Sequence, residues 1–233
     1  MTRQGHSMDF FDVVSTQRAI RRFLPDPVPD ALLARVLDAA TRAPSARGAE
    51  PWAFVVVRDA ALRAEIGRLY LTAWETAGRF TEATDADHDV KAAPHYARMM
   101  RGADVLARGL GAVPVHVVCA LDHARLGPMA DGAGGLRSPG AAYASILPAV
   151  QNLLLAARAL GLGTTLTTLH RAFEPALREL LGLPASIEPV VLVPLGFPRD
   201  RFGPTRRRRL SEVVHHDRWG TPYARLDAPE NDS

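Results

Sequence analysis

The chain has 233 residues, 47% of them hydrophobic, and a formal net charge of +3. That length buries a substantial core in one domain or a tight pair. The single cysteine, Cys119, excludes an internal disulfide, and no apolar run is long enough to cross a bilayer. No charged segment followed by a short hydrophobic one opens the sequence. A soluble chain in the reducing cytoplasm, without a membrane partner, is the expectation. Basic residues are nearly all arginine, with Lys91 the sole lysine, and they gather at Arg18, Arg21 and Arg22 and at Arg206 to Arg209. A nucleic-acid surface shows basic residues along one face with interleaved aromatics. That pattern is absent here, so no nucleic-acid partner is expected.

Residues 1–8 read as a disordered leader, 9–220 as one domain and 221–233 as a tail. The spacing of Phe10, Val13 and Val14 predicts a helix over 9–17. Pro25, Pro27 and Pro29 then forbid a helix and favour extended chain. Asp30 is placed to cap the next helix, whose stripe is Leu33, Val36, Leu37 and Ala40. WAFVVVRD (52–59) reads as a buried strand, 60–77 as a helix, and 78–92 as a polar connection. A helix over about 94–108 leads to the strand PVHVVCALD (114–122). Residues 122–140 are rich in Gly and Pro and read as a long loop. PAVQNLLLAARALGLG (148–163) is the strongest helix pattern, with Pro148 in the first turn and Gly161 as the stop. GTTLTTL (163–169) reads as a strand and 175–181 as a helix. IEPVVLVPLGFP (187–198) reads as a strand interrupted by Pro194. The whole is α+β with mixed strand order.

No dinucleotide-binding glycine fingerprint, phosphate loop, HExxH or GxSxG occurs. His215 and His216 are adjacent and diverge, which suits a surface better than a metal. Cys119 lies mid-strand and reads as a buried structural thiol. His95 and His170 have no partner evident in the sequence. Two arginine clusters remain. Arg18 and Arg21 can point to one side at a helix end. Four successive arginines, 206–209, repel one another unless an anion offsets them. A phosphate held by both clusters would do so through charge-assisted bonds; a solvated surface is the bland alternative for each.

The stretches QRAIRRF, APSARGAEPWAFVVV, PAVQNLLLAARALGLGT, PVVLVPLGFP and RRRRLSEVVHHDRWG occur in this order. Together they resemble the FMN-dependent nitroreductase family across about residues 9–220. The resemblance implies an α+β flavoprotein with a central mixed or antiparallel sheet flanked by helices. It implies an intertwined homodimer with FMN at the interface, each site drawing on both subunits. It also implies ping-pong transfer from NAD(P)H to a small-molecule acceptor. The flavin carries the chemistry, so no dedicated catalytic side chain is expected.

By the same resemblance, Gln17, Arg18, Ala19 and Arg21 fall on the family's phosphate- and ribityl-binding RRSxR motif. Arg18 and Arg21 match it, whereas Gln17 replaces an arginine and Ala19 a serine. In the tail, Arg207 falls on the second basic position of the phosphate motif, with Thr205 where the first often sits. Arg206 is expected to compensate. In the PSxxNxQPW loop, Pro44, Ser45, Pro51 and Trp52 match, Ala46 lies within it, and Gly48 and Glu50 replace two amides. The loop's small residues would let backbone amides approach the flavin. A charge on Glu50 would lower the flavin's potential unless it turns to an arginine such as Arg47. Thr167 and Thr168 fall near the strand that family members present to the reactive edge.

Three functions follow. The first is NAD(P)H-dependent reduction of nitroaromatic, quinone or related acceptors. The second keeps FMN but acts as a dehydrogenase or reductive dehalogenase. The third is a flavin-poor dimeric binding protein, motivated by Ala19, Gly48 and Glu50.

Overall fold

The computed structural model describes residues 8–81, 94–126 and 139–223. Most of the expected leader and tail, and most of 78–92 and 122–140, lie outside these residues. Helix α1 covers Phe10–Thr16 and is capped by the Asp9 carboxylate, which accepts from the Phe11 amide at 2.8 Å. Helix α2 covers Asp30–Thr41. Asp30 is its first residue, not its cap; Pro29 takes the cap position and the Asp30 carboxylate pairs with Arg58 at 3.0 Å. Strand β1 is Trp52–Val57, and α3, Ala60–Thr81, runs further than its pattern predicts. Helix α4 is Pro94–Gly109 and strand β2 Val115–Asp122. His123–Leu126 forms a short helix, α5, where loop was expected.

Helix α6, Pro139–Ala159, begins nine residues before the expected start. Pro139 takes the first-turn position, so Pro148 lies inside the helix and removes one internal hydrogen bond. Its neighbours Ile146, Ala149 and Val150 are fully buried, and that packing holds the helix across the gap. Gly161, with φ +77, ends it as expected. Strand β3 shrinks to Gly163–Thr164. Leu169, the last residue of the expected strand, instead opens a 3-10 turn over Leu169–Phe173, followed by α7, Glu174–Leu181. Strand β4 runs unbroken over Ile187–Gly196. Pro194 sits opposite His116 within the ladder, and Pro189 follows a bulge at Cys119–Ala120, so neither proline stops the strand.

The sheet order is β1-β2-β4-β3, antiparallel at every strand pair. The strand order is mixed, as expected, and among the described residues the one parallel pairing is an isolated bridge between Ala19 and Thr164. Alternation along the central strands builds a core on each face. Val117 and Cys119 of β2 and Val191 and Val193 of β4 pack with Val36 of α2 and Ile146, Val150 and Leu153 of α6. Val118 and Leu192 face the other way, against Ile66 of α3, Leu106 of α4, and Leu177 of α7. β1 lies at the sheet edge and is half-buried, not buried as its apolar run suggests.

Candidate functional site

The prolines after α1 hold residues 18–29 out of helix, and the sheet takes up the start of that stretch. The Ile20 amide donates to the Thr164 carbonyl at 2.8 Å, and the Thr165 hydroxyl donates to the Ile20 carbonyl. Further on, the Leu24 amide donates to Phe197 at 2.8 Å and the Arg199 amide to the Arg22 carbonyl at 3.0 Å. The arginine-bearing segment is therefore stitched to the sheet at both ends. Ile20 is buried between them, and Gly163 lies so close that a Cβ there would sit 2.8 Å from Ile20 Cγ2.

Arg18 and Arg21 do share a wall, though from extended chain and not from a helix end. They line a cleft of about 520 Å³ with Ala19, Arg22, Arg98, Arg101 and Arg201. Asp200 is the one carboxylate among the described lining residues, and it faces Arg22 at 3.5 Å. Arg21 is half-buried, and no described carboxylate pairs with it. Burial pushes its guanidinium below the ordinary value; Tyr70 partly offsets this and Arg18 adds to it. The Tyr70 hydroxyl in turn shares a 2.8 Å hydrogen bond with Thr167 Oγ1. Gln17 ends α1, its amide donating to the Val13 carbonyl at 2.8 Å.

The loop before β1 is built separately. Pro44 and Ser45 lead into a 3-10 turn over Ala46–Gly48. Arg47, Gly48 and Glu50 all have left-handed backbones, with φ of 57, 64 and 46. The Ala46 amide donates to the buried Ser145 hydroxyl of α6 at 3.1 Å, and the Glu50 amide to Ser45 Oγ at 3.0 Å. The Gly48 and Ala49 amides also close onto loop carbonyls. These four amides are spent inside the protein, so the loop offers shape where amide donors were expected. Arg125 of α5 donates to the Ala49 and Glu50 carbonyls at 3.2 and 3.1 Å, and Arg47 donates to the Leu126 carbonyl. Arg47 thus does not neutralise Glu50, whose exposed carboxylate forms no ion pair among the described residues.

Apart from Gln17, the expected site residues fall into four groups. Arg18, Ala19 and Arg21 line the cleft. Pro44, Ser45, Ala46 and Gly48 form the α5- and α6-anchored loop and do not line it. Arg206 and Arg207 are exposed in the tail; the Arg207 guanidinium donates to the Arg206 carbonyl at 2.9 Å. The Thr205 amide tethers this tail to the Ser15 carbonyl at 2.9 Å, bringing it beside the end of α1. Thr167 is pinned by Tyr70 and by paired backbone bonds with Leu192, while Thr168 is exposed. Arg98 and Arg101 also line the cleft; no motif in the sequence marks them, only their spacing on an amphipathic helix. The buried His170 is tied to the backbone of β4: its Nε2–H donates to the Pro189 carbonyl at 2.9 Å. Burial pushes the Cys119 thiol up, as expected for a structural residue.

Residues 14–197 match the nitroreductase family. The chain belongs to that family. An NADH dehydrogenase of Thermus thermophilus is 30% identical over 207 residues, covering 85% of this chain and 91% of that protein. A nitroreductase with bound FMN from Desulfitobacterium hafniense shares the fold with a TM-score of 0.63 at 22% identity, over 90% of this chain and 100% of that one. Iodotyrosine deiodinase, solved with FMN and 3-iodo-L-tyrosine, superposes with a TM-score of 0.67 at 22% identity, over 90% of this chain and 99% of that one. The nitroreductase-like α+β fold read from the sequence is the fold observed. No helix among the described residues is long and apolar enough to cross a membrane.

Proposed function

We propose that this nitroreductase-family chain is an FMN-dependent oxidoreductase, passing reducing equivalents from NAD(P)H to nitroaromatic, quinone or related small acceptors. The observation that carries it is Arg21: a half-buried cation with no carboxylate partner among the described residues, beside Arg18, in a cleft with a large excess of guanidinium. A desolvated cation calls for an anion, and guanidinium forks fit a phosphate in two-pronged geometry. The donor set therefore fits the FMN phosphate. When bound, FMN supplies the hydride acceptor and donor.

The protein's part is binding and orientation. Arg18 and Arg21 hold the phosphate from a segment that the sheet keeps in place. Arg206 and Arg207 reach it from the tail, whose tether to Ser15 starts beside the same helix end. Ala19 leaves the wall between the arginines free of a hydroxyl. The Pro44–Gly48 loop, which lines no part of this cleft in its own chain, completes the site from a second copy. Phe10, Phe11 and Val14 of α1 and Leu147 of α6 are exposed at 62, 76, 44 and 45%, an apolar face suited to homodimer formation. Thr167, braced by Tyr70, and Thr168 border the flavin's reactive edge. The buried free thiol of Cys119 suits a reducing, cytoplasmic setting.

Protein purified without added FMN should be yellow, or should become so on reconstitution, and should then oxidise NADH or NADPH in the presence of a nitroaromatic or quinone. A colourless protein that cannot be reconstituted overturns the cofactor and leaves the flavin-poor scaffold. A yellow protein that reduces no acceptor overturns the reaction.

A further inference from the structure

One face of α4 forms the cleft wall opposite the phosphate-binding segment. Arg98, Arg101, Gly102 and Val105 line the cleft at i, i+3, i+4 and i+7, the repeat of a single helical stripe. The contact with the other wall is close: a Cβ on Gly102 would lie 3.1 Å from Arg21 Cδ and 3.4 Å from its Nη1. The absence of a side chain at residue 102 lets the helix pack closely on the Arg21 side chain. Elsewhere on α4, charge is balanced. Arg108 pairs with Asp104 at 3.0 Å and with Glu75 at 3.8 Å. Arg98 and Arg101 form no ion pair among the described residues, and Val105 beside them is 40% exposed.

Once Arg18 and Arg21 take one phosphate, and Arg22 keeps Asp200, three guanidiniums of the cleft remain unmatched among the described residues: Arg201 and, one helical turn apart beside the exposed Val105, Arg98 and Arg101. We infer that Arg98, Arg101 and Val105 form an acceptor subsite for small amphiphilic acids, in which a carboxylate sits on the two arginines and an apolar ring rests on Val105. This rests on the FMN-dependent reading above and gives it a substrate class: acidic aromatic acceptors. The exposed Val105 favours such an acid over the 2′-phosphate of NADPH, which is borne on a hydroxyl-rich ribose without an apolar body.

The test compares 4-nitrobenzoate with 4-nitrobenzamide, nearly isosteric and differing in charge, on the FMN-loaded enzyme and on Arg98→Gln/Arg101→Gln. The wild type should favour the acid in kcat/KM by about tenfold, the discrimination of one charge-assisted hydrogen bond. Within the double variant the acid-to-amide ratio should fall towards one. A ratio near one in the wild type, or an unchanged ratio in the variant, overturns the subsite. A variant that raises KM for NADPH but not for NADH, with the acid preference intact, reassigns the arginines to the reductant and overturns it too. Calorimetric binding of 4-hydroxybenzoate to holo-protein decides the matter apart from turnover. Affinity about tenfold above that of 4-hydroxybenzamide, lost in the variant, supports the subsite; equal affinities refute it. Reduction of neither nitro compound, with selective binding of the acid, removes the proposed reaction and leaves the subsite standing.

Discussion

Gly163→Ala tests whether the sheet sets the position of the arginine segment. The new Cβ would lie 2.8 Å from Ile20 Cγ2, 3.0 Å from its Cβ and 3.1 Å from its Cγ1. A change of rotamer moves the two γ carbons but not the Ile20 Cβ, which the backbone fixes. Relief therefore requires residues 19–21 to shift by roughly half an ångström against β3, stretching the 2.8 Å bond from the Ile20 amide to Thr164. Overpacking of this kind costs about 1–3 kcal/mol. For a chain of this size that lowers Tm by roughly 2–12 °C. Because Arg21 rides on the displaced segment, FMN affinity should also fall, by about tenfold.

Thermal denaturation and a fluorescence titration of apo-protein with FMN measure the two effects. Adding Ile20→Ala to the variant removes both γ-carbon contacts and leaves only the Cβ. The pair should then be less destabilised than the sum of the two single changes by at least about 1 kcal/mol. A Gly163→Ala protein with wild-type Tm and FMN affinity would show that the segment gives way freely, and would refute the idea that β3 positions it.

Arg207→Ala should weaken FMN binding by about 1–3 kcal/mol, the scale of a charged hydrogen bond; unchanged affinity in the same titration removes Arg207 from the site. Arg125→Ala frees the Ala49 and Glu50 carbonyls, so hydrogen exchange at the amides of residues 46–50 should quicken at least several-fold while Tm moves little; unaltered exchange would show that Ser45 and Ser145 suffice. The fully buried His116 imidazole accepts its proton only near pH 4, pushed down by burial from the ordinary 6.5 and partly restored by its 2.9 Å bond to the Leu110 carbonyl. The stability its neutral form maintains is complete above pH 6.5 and is lost as pH falls towards 4, about 2 kcal/mol of it by pH 5. His116→Gln should flatten Tm between pH 6.5 and 4.5; a slope parallel to the wild type contradicts this.

Where the sequence carried a periodic signal, it located the elements: α1, α2, β2 and β4 lie where their apolar spacing places them. It failed where a local signal had two uses. Pro148 has the mark of a helix start, yet Pro139 fills that role, and only tertiary packing shows that α6 continues through the second proline. The threonine-rich run after it looks like a strand. Instead, the Thr165 hydroxyl turns to Ile20 and Thr167 to Tyr70, so the run serves as an anchor for other segments. The site divided in the same way. Arg18 and Arg21 were legible because they are neighbours in sequence. Arg98 and Arg101 were not, because they meet Arg21 only through the tertiary packing of α4 at Gly102, about eighty residues away along the chain.

The loop APSARGAEPW carries three left-handed residues in a row of four positions, two of them not glycine: Arg47, Gly48 and Glu50. Gly48 adopts its left-handed backbone at no steric cost, but Arg47 and Glu50 do not, and each such residue stores on the order of 1 kcal/mol. Something must offset that strain, and the structure shows what does: Ser45 and Ser145 accept loop amides, Arg125 holds two carbonyls, and Arg47 itself bonds to Leu126. A plain connector between α2 and β1 has no need of left-handed non-glycine residues clamped from two other helices. The clamping holds the Glu50 backbone, and its exposed carboxylate forms no ion pair among the described residues. In a site completed by a second copy, that charge would face the flavin or its acceptor from a rigid position. Coupling between this carboxylate and the cationic wall of α4 would then make charge, more than shape, the property by which the site sorts its acceptors.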